Sequence, residues 1–231
     1  MTLVVSLSTG CSTTKNSEKY PTRKIDRPFT LYEGMTEAVG TLPFRYLKSA
    51  EYYDIEQPIP LVIHWSHALS DQFSMIWFIL PLGFKWQIAN EHNHILGLEF
   101  FNHLHSPKVP AMTPYLTFVE RWRLDPDWEL ESRLGLQTTF QFKNGGVDFA
   151  LAFSSGPRWQ IRSNLSLRPF VAILREVNPS VESWNISVGS TLPWNPIKQV
   201  EVRFRYLQSI YGERGARVQG PTAAVDLSYF W

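Results

Sequence analysis

The sequence predicts an all-β fold: one antiparallel up-and-down transmembrane barrel of about 12 strands, with 10 as the alternative count. Three observations predict it. Apolar and polar residues alternate with period two through most of the 231 residues, the pattern of strands with one oily face. No stretch reaches the ~18 apolar residues of a spanning helix, and the longest candidate, residues 73–82, is followed by Gly83 and Lys85. Aromatic residues make up 14%, with nine Trp, nine Tyr and fifteen Phe, an excess that interfacial girdles of Trp and Tyr explain. An oily face without a spanning helix requires a closed barrel, because lipid offers backbone polar groups no partner.

The register is clearest from the C-terminus backward. Ala223, Val225, Leu227, Tyr229 and Trp231 share one face; Thr222, Ala224, Asp226 and Ser228 share the other. Val202, Phe204 and Tyr206 oppose Glu201, Arg203 and Arg205. Trp184, Ile186 and Val188 oppose Ser183, Asn185 and Ser187. Trp159, Ile161, Leu165, Leu167 and Val171 oppose Gln160, Arg162, Ser166 and Arg168. Phe149, Leu151 and Phe153 oppose Asp148, Ala150 and Ser154, and Leu134 and Leu136 oppose Glu131, Arg133 and Gln137. Asn144-Gly145-Gly146 between the last two segments is a hairpin signal. Upstream, Phe84 and Trp86 oppose Lys85 and Gln87, Leu98 and Phe100 oppose Gly97 and Glu99, and Ile63 and Trp65 oppose His64 and Ser66. Residues 73–79 are apolar on both faces, and Glu120 interrupts the apolar set Leu116, Phe118 and Trp122.

This register predicts short turns near residues 193–197, 155–158, 125–128, 91–93 and 67–70. At the other end it predicts mostly longer loops near 211–220, 175–180, 102–113 and 49–58, with short ones near 80–82 and 143–146. An aromatic final residue preceded by apolar residues at every second position resembles the terminal strand of bacterial outer-membrane β-barrels. The segments Arg27-Pro28-Phe29-Thr30-Leu31-Tyr32-Glu33-Gly34 and Leu80-Pro81-Leu82-Gly83-Phe84-Lys85-Trp86 resemble uncharacterised barrels of that class. The resemblance implies the cell outer membrane, contact with its lipids, and delivery by the barrel-assembly machinery, with Tyr229 and Trp231 as the assembly signal. It carries no catalytic motif. The register then puts Trp231 and the short turns in the periplasm and the longer loops outside the cell.

Cys11 is the single cysteine, so no intramolecular disulfide forms. It follows a short apolar stretch and Ser8-Thr9-Gly10, and resembles the lipidation site of a bacterial lipoprotein signal, although Leu7 stands one place early and the stretch lacks a basic start. The expected organisation is an export remnant at 1–11, a polar periplasmic linker at 12–29 and the barrel at 30–231.

On the face opposite lipid the register lines up Lys85, Arg133, Arg162, Arg168, Arg203 and Arg205 with Glu99, Glu131, Asp148, Glu201 and Asp226. Arg121 and Arg123 join them if Thr117 points inward. Such a set is either a paired network filling a narrow lumen or the lining of a weakly anion-preferring channel. The function expected is therefore a transport or structural barrel, with passive passage of small polar or anionic solutes as its concrete form.

Two alternatives belong to other classes. His64 and Ser66 share one face at i, i+2 spacing, the residue types of a lipid-modifying hydrolase, though no elbow motif surrounds them. A soluble, lipocalin-like periplasmic lipoprotein would instead turn the apolar face inward. His92, His94, His103 and His105 lack a nearby third ligand of the Cys, Asp or Glu type, so no metal or other cofactor is expected. Net charge is +1 and nucleotide loops are absent, which argues against nucleic acid as a partner. The sequence sets no oligomeric state.

Overall fold

The computed structural model describes residues 18–43, 63–77, 81–104, 111–141, 146–178, 181–212 and 222–231. Cys11, His105 and most of the expected longer loops lie outside these residues. The first strands are β1 (Thr36–Pro43), β2 (Ile63–Ser70), β3 (Phe73–Trp77), β4 (Pro81–Glu91), β5 (His94–Leu104) and β6 (Ala111–Asp125). They continue with β7 (Trp128–Gln141), β8 (Gly146–Arg162), β9 (Leu165–Asn178), β10 (Val181–Ile197), β11 (Val200–Gly212) and β12 (Thr222–Phe230). Each pairs antiparallel with its neighbours, and β1 pairs with β12 from Glu37 opposite Phe230 to Pro43 opposite Ala224. The barrel is closed with twelve strands, so no edge carries unpaired backbone groups.

The alternation has the polarity expected. Outward-pointing Phe204, Leu136, Leu151, Val171 and Leu227 keep 46–53% of their surface exposed, whereas inward-pointing Arg168, Glu201 and Asp226 keep 0–1%. A lipocalin-like barrel would show the reverse, and that alternative is overturned. Trp128 and Trp159, cross-strand partners on the outside, stack with ring centroids 5.6 Å apart. Trp77, Trp184 and Tyr211 are exposed toward the opposite end.

One end of the barrel has only two-residue turns, at 71–72, 92–93, 126–127, 163–164 and 198–199; we call it the turn end. At the far end the connection from β1 to β2 alone runs from 44 to 62. Two of the expected turns are corrected. Residues 155–158 lie within β8 and 193–197 within β10, and 175–178 continue β9. Proline suggested the breaks, since it cannot donate to a ladder. Here the ladders are interrupted instead: β8 skips from Ser155 to Trp159 in its pairing with β9, and β10 skips from Thr191 to Trp194. Pro157, Pro169 and Pro193 occupy those gaps. Gly156 permits the close approach, because a Cβ there would lie 2.0 Å from the Pro169 carbonyl oxygen.

The doubly apolar stretch in β3 also has an explanation. Ser74 and Ile76 point inward, and Ile76 packs on Phe101 and Tyr115 in a small apolar cluster inside the lumen.

Candidate functional site: a segment seated in a charged lumen

Residues 18–29, expected as a linker, lie inside the turn end of the barrel, and strand structure begins at Thr36 rather than at residue 30. A short 3-10 turn, Lys24–Asp26, buries Ile25. Tyr20, Leu31 and Met35 form an apolar cluster with Ala68 of β2 and Phe230 of β12. The Phe29 ring sits where Gly97 of β5 has no side chain; a Cβ there would lie 2.3 Å from it. Gly34, at φ +77°, turns the chain into β1, and its N–H donates to the Ala68 carbonyl at 3.0 Å. That φ favours glycine.

Polar contacts hold the segment around the whole mouth. The Lys24 N–H donates to Gln160 Oε1 of β8 at 3.0 Å, and the Phe29 N–H to Gln87 Oε1 of β4 at 2.8 Å. Thr30 Oγ1 donates to the Asp71 carbonyl, and Arg23 Nη2 to Asp127 Oδ1 at 2.7 Å, both in tight turns. Arg123 of β6 pairs with Asp26, and Arg121 Nη1 donates to the Arg27 carbonyl at 2.8 Å. Arg27 pairs with Glu201 of β11 and lies over the rings of Tyr20 and Phe230. Lys24 Nζ reaches the same carboxylate at 3.1 Å. Burial pushes the Lys24 ammonium below its usual range against the pull of Glu201. Burial raises the Tyr20 phenol, with Arg27 opposing.

A second knot lies one step further along the wall. Glu131 accepts from Arg158 Nη2 at 2.7 Å and Arg133 Nε at 2.8 Å, with Arg168 Nη1 at 3.7 Å. Glu129 accepts from Arg121 Nη2 at 2.8 Å and pairs with Arg158. Thr117 is buried inward, which brings Arg121 into the lumen. Nearer β12, Arg205 Nη2 donates to Asp226 Oδ1 at 3.0 Å, and Arg203 Nη2 donates to Glu201 Oε1 at 2.6 Å.

Of the residues marked by the register, seven thus fall into three ion-paired groups: Glu131 with Arg133 and Arg168 on β7 and β9, Glu201 with Arg203 on β11, and Arg205 with Asp226 on β11 and β12. Lys85 and Glu99 face each other on β4 and β5, 3.8 Å apart. Asp148 is half-buried far from the turn end, and Arg162 is exposed at the last position of β8, outside the network.

The register missed Glu129, Arg158, Arg27 and Lys24. Arg158 was hidden by reading Gly156-Pro157 as a turn, although it keeps the even-numbered parity of Ser154 and Gln160. Nothing local marks Arg27 or Lys24, whose partners are more than 170 positions away.

His64 and Ser66 share the lumen wall, but His64 Nδ1 and Ser66 Oγ each lack a hydrogen-bond partner among the described residues, so they are not joined as base and nucleophile. His94 stacks on Trp122 and contacts Glu120 at 3.1 Å on the outer face. His103 lies in β5 rather than in a loop. No group of three His, Cys, Asp or Glu that could hold a metal occurs among the described residues.

Between the seated segment and the wall lies a cavity of about 130 Å³. Its lining holds eight cations (Lys24, Arg27, Lys85, Arg121, Arg133, Arg158, Arg203 and Arg205) and three carboxylates, Glu37, Glu99 and Glu131.

No family model and no curated protein matches the chain. Solved structures do. The chain is similar to the COG4313 outer membrane channel from Pseudomonas putida F1, at 11% identity, with 87% of this chain and 96% of that one covered and a TM-score of 0.59. It is also similar to a loop L8 deletion mutant of OmpT, an outer membrane protein of Vibrio cholerae, at 9% identity over 86% and 76% of the chains, with a TM-score of 0.52. The fold is that of a bacterial outer-membrane β-barrel. An apolar wall closed on itself around a charged interior suits only a bilayer, and the protein belongs to the cell outer membrane. The turn end is then the periplasmic end.

Proposed function

We propose that this barrel is a channel for passive passage of small polar solutes, with a preference for anions, and that residues 18–35 seat at its periplasmic mouth as a plug. The excess of cations lining the lumen cavity carries the reading, because rings of Arg and Lys favour anions. The neighbouring carboxylates offset part of that charge, which makes the preference weak rather than strict. The fold shared with an outer membrane channel of Pseudomonas putida supports the reading.

The test is conductance in planar bilayers under a KCl gradient. The full chain should show small steps with a reversal potential on the chloride side, and a Gly97→Leu variant, which crowds Phe29, larger ones. Silence from both proteins, or selectivity for potassium, overturns the proposal.

The same reading gives the chain's ends their roles. Cys11 is a lipid anchor in the periplasmic leaflet. Glu18 lies seven positions further on, a reach of at most about 25 Å, which suits an anchor beside the plugged mouth. Tyr229 and Trp231 are the signal read by the barrel-assembly machinery. Labelled palmitate that enters the wild type equally with a Cys11→Ser variant would remove the anchor. Normal outer-membrane yield after Trp231→Ala would remove the signal.

A further inference from the structure

The cavity has a second character that ion pairing leaves unexplained. On one of its walls stand His64 and Ser66 of β2 and Ser74 of β3, which are 3%, 1% and 0% exposed. Their Nδ1, Oγ and Oγ atoms have no hydrogen-bond partner among the described residues. Buried polar groups are ordinarily satisfied, so three in one patch facing one cavity mark a place where something else completes them.

The register makes the patch continuous. Ser74 lies opposite Ala68, diagonal to Ser66; Lys85 lies opposite Ser74, and Glu99 opposite Lys85. Glu37 of β1 lies opposite Ser66. Lys85 Nζ stands 3.8 Å from Glu99, beyond hydrogen-bond distance, so its ammonium can turn into the cavity.

We infer that this wall is a binding site for a small hydroxylated carboxylate, a three- or four-carbon acid that the channel takes up on its way through. The chemistry separates the two ends of such a ligand. Its carboxylate meets Lys85 and the cationic surplus of the cavity. Its hydroxyl groups donate to Glu37 and Glu99 and exchange hydrogen bonds with Ser66, Ser74 and His64. A simple anion without hydroxyls would face the two carboxylates with nothing to offer them, and an uncharged polyol would leave the cations unmatched. The cavity, about 130 Å³, suits a small ligand.

The inference rests on the channel reading only in naming the ligand as a transported solute; binding itself needs no conduction. Calorimetry on the full chain in detergent at neutral pH, with glycerate, propionate and glycerol as probes, tests it. Glycerate should bind saturably, and propionate and glycerol at least about tenfold more weakly, the loss expected for a hydrogen bond or ion contact in a buried site. Lys85→Gln and the double variant Ser66→Ala with Ser74→Ala should each weaken glycerate by about the same factor.

Equal binding of glycerate and propionate, or unchanged binding in both variants, overturns the site. If either variant fails to fold, judged by heat-modifiable migration, the three probes on the unaltered chain still decide. Binding without conductance would leave the site and remove the channel; conductance without binding would do the opposite.

Discussion

The two halves of the lumen are built by the same strands with the same alternation, yet they are held together by different chemistry. Toward the turn end the inward residues are long and charged. Glu129, Glu131 and Glu201 each gather two or more guanidinium or ammonium groups, drawn from the same strand, from adjacent strands, from the seated segment and, at Arg168, from a strand two places away. Toward the far end the side-chain hydrogen bonds are mostly between neutral groups, and the inward carboxylates Asp148 and Glu176 are only half-buried. Asn185 Oδ1 accepts from Ser187 at 2.9 Å and Ser209 at 2.8 Å, and Thr113 donates to Thr139 at 3.2 Å.

The plug accounts for the difference. A peptide seated among strands brings carbonyls and charges that must be matched, and long arginines span the distance from wall to plug. Without a plug the far half needs only cross-strand pairs. Inward alternation is thus necessary for a lumen position, but depth along the strand decides what kind of residue works there.

The largest effect that would break this contrast is at Glu131. Glu131→Ala leaves Arg158, Arg133 and Arg168 without a shared carboxylate, and removing one partner from a buried ionic knot costs about 3–5 kcal/mol. Gln137→Ala in the far half should cost about 1 kcal/mol. Urea unfolding in lipid vesicles, followed by heat-modifiable migration, measures both, and equal losses would show that the halves are not distinct.

Next is the latch. Glu201→Gln removes the charge that holds Arg27 and Lys24 while keeping the side-chain volume. Trypsin added from the periplasmic side should then cut after Arg23 or Lys24 much faster than in the unaltered protein. An unchanged cleavage rate would mean that the apolar seat of Tyr20, Leu31 and Met35 holds the plug without help.

Gly97→Leu probes that seat directly and separates plug from wall. It should raise single-channel conductance while costing about 1–3 kcal/mol, the usual range for overpacking; loss of stability with no rise in conductance would show that Phe29 does not keep the passage narrow. The smallest effect belongs to Ser187→Ala, about 1 kcal/mol or less, with conductance unchanged. A marked shift in selectivity there would move the controlling region out of the plugged half.

The alternation in β12, β8 and β7 was legible because one side of each strand faces oil, a constraint repeated at every second residue. The same constraint gave the strand number, and it assigned Lys85, Glu131, Arg168 and Asp226 to the inner face. Proline misled it at 155–158 and 193–197, because a barrel wall tolerates interrupted ladders where a glycine or a gap lets strands approach. Arg158 was lost with that segment.

The alternation of the terminal strand is a local pattern, readable without any fold. Sequence by itself determined the two-faced strands and which residues share a face, since these follow from a pattern each strand carries alone; closure of the barrel decided which face points outward. Tertiary structure decided what fills the lumen. Arg27 meets Glu201, Phe29 meets Gly97, and His64, Ser66, Ser74 and Lys85 share one cavity only because closing the barrel and tucking the N-terminal segment inside it bring together residues that no periodicity relates.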